Sequence, residues 1–207
     1  MRNWTENQIN LIFIRHGETP SNALGRYLGR GEEDLSEAGR EKLLYQKEMG
    51  KYPKADILFS SPMKRCTQTA ELLYGGKVPV LIEEWREINF GSFEGKNYKE
   101  LNGDADYQAW IDSNGELPFP GGESREEFLI RCQKGLQKVW KELVTNVGTA
   151  SFNAAAVVHG GTIMALLSCY CKGGSYYDYQ CKNAEGYVCS LKLLNEQEPM
   201  LEIIRKL

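Results

Sequence analysis

Apolar residues along this chain recur at two repeat lengths, and the alternation between them predicts its elements. Short, mostly apolar runs at 11–14, 56–59, 78–82 and 154–158 have the length and composition of strands. Between them the spacing changes to that of helices. Ser36 caps a predicted helix reaching about residue 49, with Ala38, Leu43 and Leu44 as its apolar face despite Gly39. Ser60 and Ser61 before Pro62 announce a second, through about residue 73, with a serine at the cap and proline at the first helical position. Ser124 with Glu127 three residues on is a capping box. It opens a long helix to about residue 147, lined by Leu129, Cys132, Leu136, Val139, Trp140 and Leu143. Gly160 and Gly161 open another through about residue 169, and strands near 187–194 and 201–204 close the sheet. No repeat or linker interrupts this order, so the reading is one α/β domain over 1–207: a three-layer α/β/α sandwich with a mostly parallel sheet.

One stretch departs from the pattern. Residues 90–122 are rich in Gly, Asn and Asp and carry Phe90, Phe93, Tyr98, Tyr107, Trp110 and Phe119. Short helices near Tyr98 and over 107–111 are expected, and PFPGG ends the excursion. This is a small inserted cap, able to roof a site or to pack a satellite cluster. The Tyr-rich loop 170–179 carries no signal.

Composition narrows the function classes. With 207 residues, 42% hydrophobic and 26% charged, the chain can bury a real core. A net charge of −3 supplies no basic excess for a general nucleic-acid binder, so any anion site must be local. No window approaches the roughly 20 apolar residues of a membrane span, and the opening MRNWTENQ lacks a signal-peptide layout. A cytoplasmic protein is expected. The six cysteines have no CxxC pair and read as reduced and partly buried; Cys169, Cys171 and Cys181 are a poor match to zinc spacing.

The chemistry collects at strand ends. Arg15 and His16 follow the first strand, Arg65 lies just beyond the second, Glu87 shortly after the third, and His159 ends the fourth. The chain has two histidines, and both stand where open α/β sheets bind ligands. Two His, two Arg and one Glu are the parts of a phosphoryl-transfer site: a nitrogen nucleophile, cations for the equatorial oxygens and a proton donor for the leaving group.

These residues resemble the histidine phosphatase superfamily, in the branch of phosphoglycerate mutase-like phosphatases. The resemblance runs in order through IRHGETPSN at 14–22, SSPMKRCTQTAELL at 60–73, EINFGSFEG at 87–95, PGGES at 120–124 and VVHGGTI at 157–163. It implies that His16 is the nucleophile that becomes phosphorylated, that Arg15, Arg65 and His159 hold the phosphoryl group, and that Glu87 is the general acid. Asn22 and Thr19 match further phosphate contacts, Glu18 matches a position near the pocket, and the Gly160 end of a helix adds its amides. No metal or cofactor is required. The partner is a small phosphomonoester. The segment YQAWIDSNGELPF at 107–119 has little positive charge where mutases of the family add basic residues, which favours hydrolysis. The REINFGSFEG and PGGES blocks look most like α-ribazole phosphatases of cobalamin assembly. The alternatives are a broad-specificity sugar-phosphate phosphatase, a mutase, and an inactive module that binds phosphorylated ligands.

Overall fold

Six strands, β1 (Ile9–Arg15), β2 (Ile57–Ser60), β3 (Val80–Leu81), β4 (Phe152–Val158), β5 (Gly186–Asn195) and β6 (Glu198–Lys206), form one sheet in the order β3-β2-β4-β1-β5-β6. The computed structural model describes residues 9–146, 152–195 and 198–207. β3, β2, β4 and β1 run parallel, and β5 and β6 add antiparallel pairs. Period-two alternation sends the two sets of β1 side chains to opposite faces. Leu11 and Phe13 join Ala154, Ala156 and Val158 under α5 (Arg125–Asn146) and α6 (Gly160–Tyr170). Ile12 and Ile14 join Ala155 and Val157 under α2 (Glu37–Glu48) and α3 (Lys64–Tyr74). The result is the three-layer α/β/α sandwich that the pattern predicts.

The helix α5 shows how the spacing is used. Phe128, Cys132, Leu136, Val139 and Leu143 are buried along one stripe, while Leu129 and Trp140 pack half-buried at its margins. Each fully buried large apolar side chain contributes about 1.5–3 kcal/mol. The capping box is present: Glu127 N–H donates to Ser124 Oγ at 3.1 Å, and Ser124 N–H to a Glu127 carboxylate oxygen at 2.9 Å. The predicted end of this helix at residue 147 lies outside the described residues.

Four expectations need correction. In α2, Ala38 is exposed and Leu44 partly so, whereas Gly39 is buried. A Cβ on Gly39 would sit 2.3 Å from the Glu18 carbonyl oxygen, so the glycine permits the helix to touch the turn after β1. The helix α3 starts at Lys64 with Met63 as its cap, and Ser61 lies before it, its hydroxyl shared between Met63 N at 3.4 Å and His159 at 2.8 Å. The third strand shrinks to Val80 and Leu81 at the sheet edge, both exposed. Near Tyr98 the chain makes turns rather than a helix, and α4 (Ala105–Asp112) follows with Asp104 capping it.

Candidate active site

The sheet register assembles the centre. β1 and β4 pair with Arg15 opposite Val158, so the residues that follow them, His16 and His159, leave the sheet at one level. Their ring centroids are 5.2 Å apart at 67°, and both rings are buried. β2 flanks β4 on the other side, and Ser61, next after that strand, places Oγ 2.8 Å from His159 Nε2. The sequence pattern marks Ser61 only as a helix cap before Pro62, not as a partner of His159.

His16 has a defined tautomer. Its Nδ1 lies 2.7 Å from the Gly17 carbonyl, which can only accept, so Nδ1 carries the hydrogen and Nε2 the lone pair. Burial holds this imidazole well below its ordinary value near 6.5, with Arg65 and then Arg15 adding to the effect. His159 is lowered likewise, by burial first and then by Arg65, His16 and Arg15. Both rings are therefore neutral at neutral pH. Cys66 Sγ lies 3.5 Å from His159 Nε2, but burial pushes its thiol up to about 12, which leaves it an inert neighbour.

The two guanidiniums are fixed by backbone carbonyls. Arg15 Nη1 donates to Cys181 O at 2.7 Å. Arg65, fully buried, donates from Nη1 to Gly31 O at 2.9 Å and from Nη2 to Gly29 O at 2.8 Å. Glu94 holds that receiving loop through the Gly29 and Arg30 amides, each at 2.9 Å, which ties the insert to the centre. Among the described residues neither arginine makes an ion pair, and the Nε atom of each is buried without a partner. Buried cations need a compensating charge, so the pair defines a site for an anion.

Asn22 and Thr19 divide their work. Asn22 Oδ1 accepts from Asn183 Nδ2 at 3.0 Å and from Thr19 N at 3.3 Å, which leaves the amide NH₂ free of protein partners among the described residues. Thr19 is fully buried, does not line the cleft, and uses its hydroxyl to cap the short helix α1 (Pro20–Ala23) through Asn22 N. Like Arg65 and His159, Thr19 is fully buried, and its hydroxyl oxygen serves the cap while its O–H hydrogen has no acceptor among the described residues.

Glu87 is carried on the loop after a 3-10 turn at Glu83–Trp85. Its carboxylate accepts from Ile88 N at 3.0 Å and Gly161 N at 3.4 Å. Burial raises its pKa above the ordinary value near 4.5, while these amides and the two arginines pull the other way. A Cβ on Gly161 would lie 2.4 Å from Glu87 Oε1, so the second glycine of the pair makes room for the carboxyl. Arg131 fastens the loop from α5. It donates to Glu84 O at 2.7 Å and Arg86 O at 2.8 Å, and grips the Glu123 carboxylate with Nε at 2.8 Å and Nη2 at 2.7 Å. Replacing Arg131 by Met leaves Glu123 charged and two carbonyls without donors. We expect a loss of about 3 kcal/mol in urea unfolding; a loss below about 1 kcal/mol would mean that Trp85, bonded to Cys132 O at 3.2 Å, holds the loop alone.

A cleft of about 950 Å³ opens over the centre. Arg15, His16, Glu18, Asn22, Glu87 and Gly160 line it; Arg65 and His159 lie fully buried behind them. Gly160 sits against Arg15, its missing Cβ 3.4 Å from the guanidinium. Of the insert's aromatics, Phe90, Tyr98, Trp110 and Phe119 face the cleft, whereas Phe93 is core and Tyr107 stacks behind on Trp110. Tyr176, Tyr177 and Arg125 also line it, next to Gly115 of the insert, and none of them is marked by the sequence pattern. All six cysteines are free, and among the described residues no three His, Cys, Asp or Glu are grouped to hold a metal. No helix of the described residues is long and apolar enough to cross a membrane.

Comparison with known proteins agrees with this geometry. The family model of the Histidine phosphatase superfamily (branch 1) matches residues 11–199. Phosphoserine phosphatase 1 of Hydrogenobacter thermophilus is 31% identical over 186 residues, covering 85% of this chain and 83% of its own. A 2,3-bisphosphoglycerate-dependent phosphoglycerate mutase of Cytophaga hutchinsonii is 27% identical, covering 76% of this chain and 75% of its own. Among solved structures, a putative alpha-ribazole-5'-P phosphatase from Escherichia coli superimposes with a TM-score of 0.77 at 20% identity, over 94% of this chain and 95% of that one. At that identity the likeness is one of fold.

Proposed function

This chain belongs to the histidine phosphatase superfamily, branch 1, and we propose that it is a phosphatase hydrolysing small phosphate monoesters through a phosphorylated His16. Nε2 attacks phosphorus as the bond to the alcohol oxygen breaks, and Glu87 gives that oxygen its proton. Water then attacks the phosphohistidine, Glu87 takes a proton back, and inorganic phosphate leaves. Arg15 and Arg65, with His159, Asn22 and the Gly160 end of α6, stabilise the charge that the loose transition state spreads over three oxygens. One observation carries the reading: two neutral imidazoles 5.2 Å apart beside a fully buried and a half-buried guanidinium whose buried Nε–H groups have no partner among the described residues. Acid quench during turnover of a labelled aryl phosphate in chelator tests it. Label on His16 is expected; label elsewhere, or turnover lost to chelation, overturns it.

The ester's alcohol admits finer readings. The wall of Phe90, Tyr98, Trp110 and Phe119 suits the planar base of α-ribazole 5'-phosphate, and a screen placing that ester no higher than simple sugar phosphates removes this reading. Residues 107–119 contribute Trp110, Gly115 and Phe119 to the cleft and no cation, which supports hydrolysis over a mutase cycle. A cation does reach that wall, from Arg125 instead.

A further inference from the structure

We propose that Asn183 is a positioning residue of this centre: it orients the Asn22 side-chain amide so that the NH₂ group of Asn22 meets the phosphoryl oxygens. The role rests on the hydrolase reading above and adds to it the side chain that aims one of the phosphate contacts.

A side-chain amide carries two hydrogens on nitrogen and can only accept at oxygen. Asn183 Nδ2 faces three oxygens: Asn22 Oδ1 at 3.0 Å, the His16 carbonyl at 3.1 Å and the Gly17 carbonyl at 3.3 Å. Turned over, Asn183 would set its own oxygen against the two backbone carbonyls, so these carbonyls fix which way it points. One hydrogen then goes to Asn22, and the carbonyls share the other. Among the described residues Asn22 Oδ1 has one further donor, the Thr19 amide, at the longer distance of 3.3 Å. Asn183 is thus the nearer of two groups that hold the Asn22 oxygen and leave its NH₂ for a ligand in the cleft, which both side chains line. The Gly17 carbonyl that Asn183 touches is also the acceptor for His16 Nδ1 at 2.7 Å. One amide therefore spans the loop of the nucleophile and a phosphate contact.

The turn that carries Asn183 is built to stay still. Ala184, buried, has a φ of +66°, in the left-handed region that residues other than glycine seldom enter and keep only where their surroundings fix them. Its carbonyl accepts from Tyr52 Oη at 2.8 Å and Lys51 Nζ at 3.1 Å, and its N–H donates to Arg15 O at 3.1 Å. On either side, Cys181 O accepts from Arg15 Nη1 at 2.7 Å and Glu185 O from Arg15 N at 2.8 Å. Residues 181–185 thus hold the backbone and guanidinium of Arg15 as well as the amide of Asn22. Such a turn earns its strain through placement, since misplacing a contact by about 1 Å costs on the order of 10²-fold in rate.

A double-mutant cycle tests this, read as kcat/KM for p-nitrophenyl phosphate. Asn183→Leu, close to asparagine in volume, and Asn22→Ala are each expected to lose about 10- to 100-fold. The double variant is expected to lose no more than about threefold beyond Asn22→Ala, because Asn183 then has nothing to aim. Asn183→Ala serves where the leucine variant does not fold. Losses that multiply in the double variant overturn the proposal, as does a loss below about threefold in either single variant. Side-chain amide resonances supply a readout that packing alone would not move. In isotope-labelled protein the Asn22 NH₂ pair, identified by its absence in Asn22→Ala, is expected to shift when inorganic phosphate saturates the wild type and to stay in place in the Asn183 variants; equal shifts overturn the proposal. Wild-type turnover of p-nitrophenyl phosphate separates the two levels: without it the hydrolase reading itself falls, and with it multiplying losses remove the role of Asn183 alone.

Discussion

In His16→Gln, no phosphoenzyme is expected to accumulate and kcat for any phosphate ester is expected to fall by about 10⁴-fold or more, the scale set by removing a nucleophile. The size of the effect follows from the local geometry. The hydrogen bond from Nδ1 to Gly17 O leaves Nε2 as the attacking atom, and glutamine has no equivalent lone pair at that place. His159 is the neighbouring imidazole but cannot take over, because its Nε2 is committed to Ser61 Oγ. Rapid acid quench with mapping of the label measures the loss; a variant that still traps phosphate on protein would show that another group attacks. A stability consequence accompanies it. Both imidazoles are held neutral in the fold, well below 6.5, whereas unfolded chains take up those protons as pH drops past that value. Their contribution is therefore fully present above about pH 6.5 and lost as pH falls below it. Removing His16 should shallow that acid-side decline, read as urea midpoints from pH 7 down to 5.

How much of this could be read from residues alone depends on which force fixes each position. His16 and His159 were legible because parallel strands share a register, so two histidines at strand ends must meet if the strands are neighbours. Leu43 and the α5 stripe were legible because burial follows periodicity. Ser61 misled for a physical reason: a serine before proline scores as a cap, yet its hydroxyl finds an imidazole from β4, a partner 98 positions away. Gly39 looked like a weakness in a helix and is a point of contact, since only the folded chain brings Glu18 against it. Thr19 shares a motif with phosphate contacts, and its hydroxyl oxygen also caps the short helix that carries Asn22. Arg125, Tyr176 and Asn183 carry no periodic or spacing signal; they stand at a helix start, a 3-10 turn and a loop whose meeting at the cleft is set by tertiary contacts. The one hint was Arg125 standing directly after PGGES at a helix start.

In Glu87→Gln, hydrolysis of an alkyl phosphate is expected to drop by about 10³-fold and that of p-nitrophenyl phosphate by only about tenfold, the range of a positioned general acid. An alkoxide is too basic to leave without a proton, whereas nitrophenolate departs unaided, so the difference isolates proton donation from packing. Equal losses on both esters would remove Glu87 from that role. The pH profile supplies a second sign. Burial raises the Glu87 pKa above 4.5, so the protonated, acid-competent form persists to higher pH than in an exposed glutamate. Wild-type activity on the alkyl ester should then decline as pH rises through that value, and the decline should vanish in the variant. Stability moves in the same frame. Neutral Glu87 is favoured in the fold, so its contribution is complete below about pH 4.5 and is lost as pH climbs through the raised pKa. Glutamine never ionises, so the stability of the variant relative to wild type should increase from pH 4 to 8, even if loss of an acceptor for the Ile88 or Gly161 amide lowers both ends of the curve. A flat difference would mean that the carboxyl titrates alike folded and unfolded, and that the amides and arginines around it cancel the effect of burial.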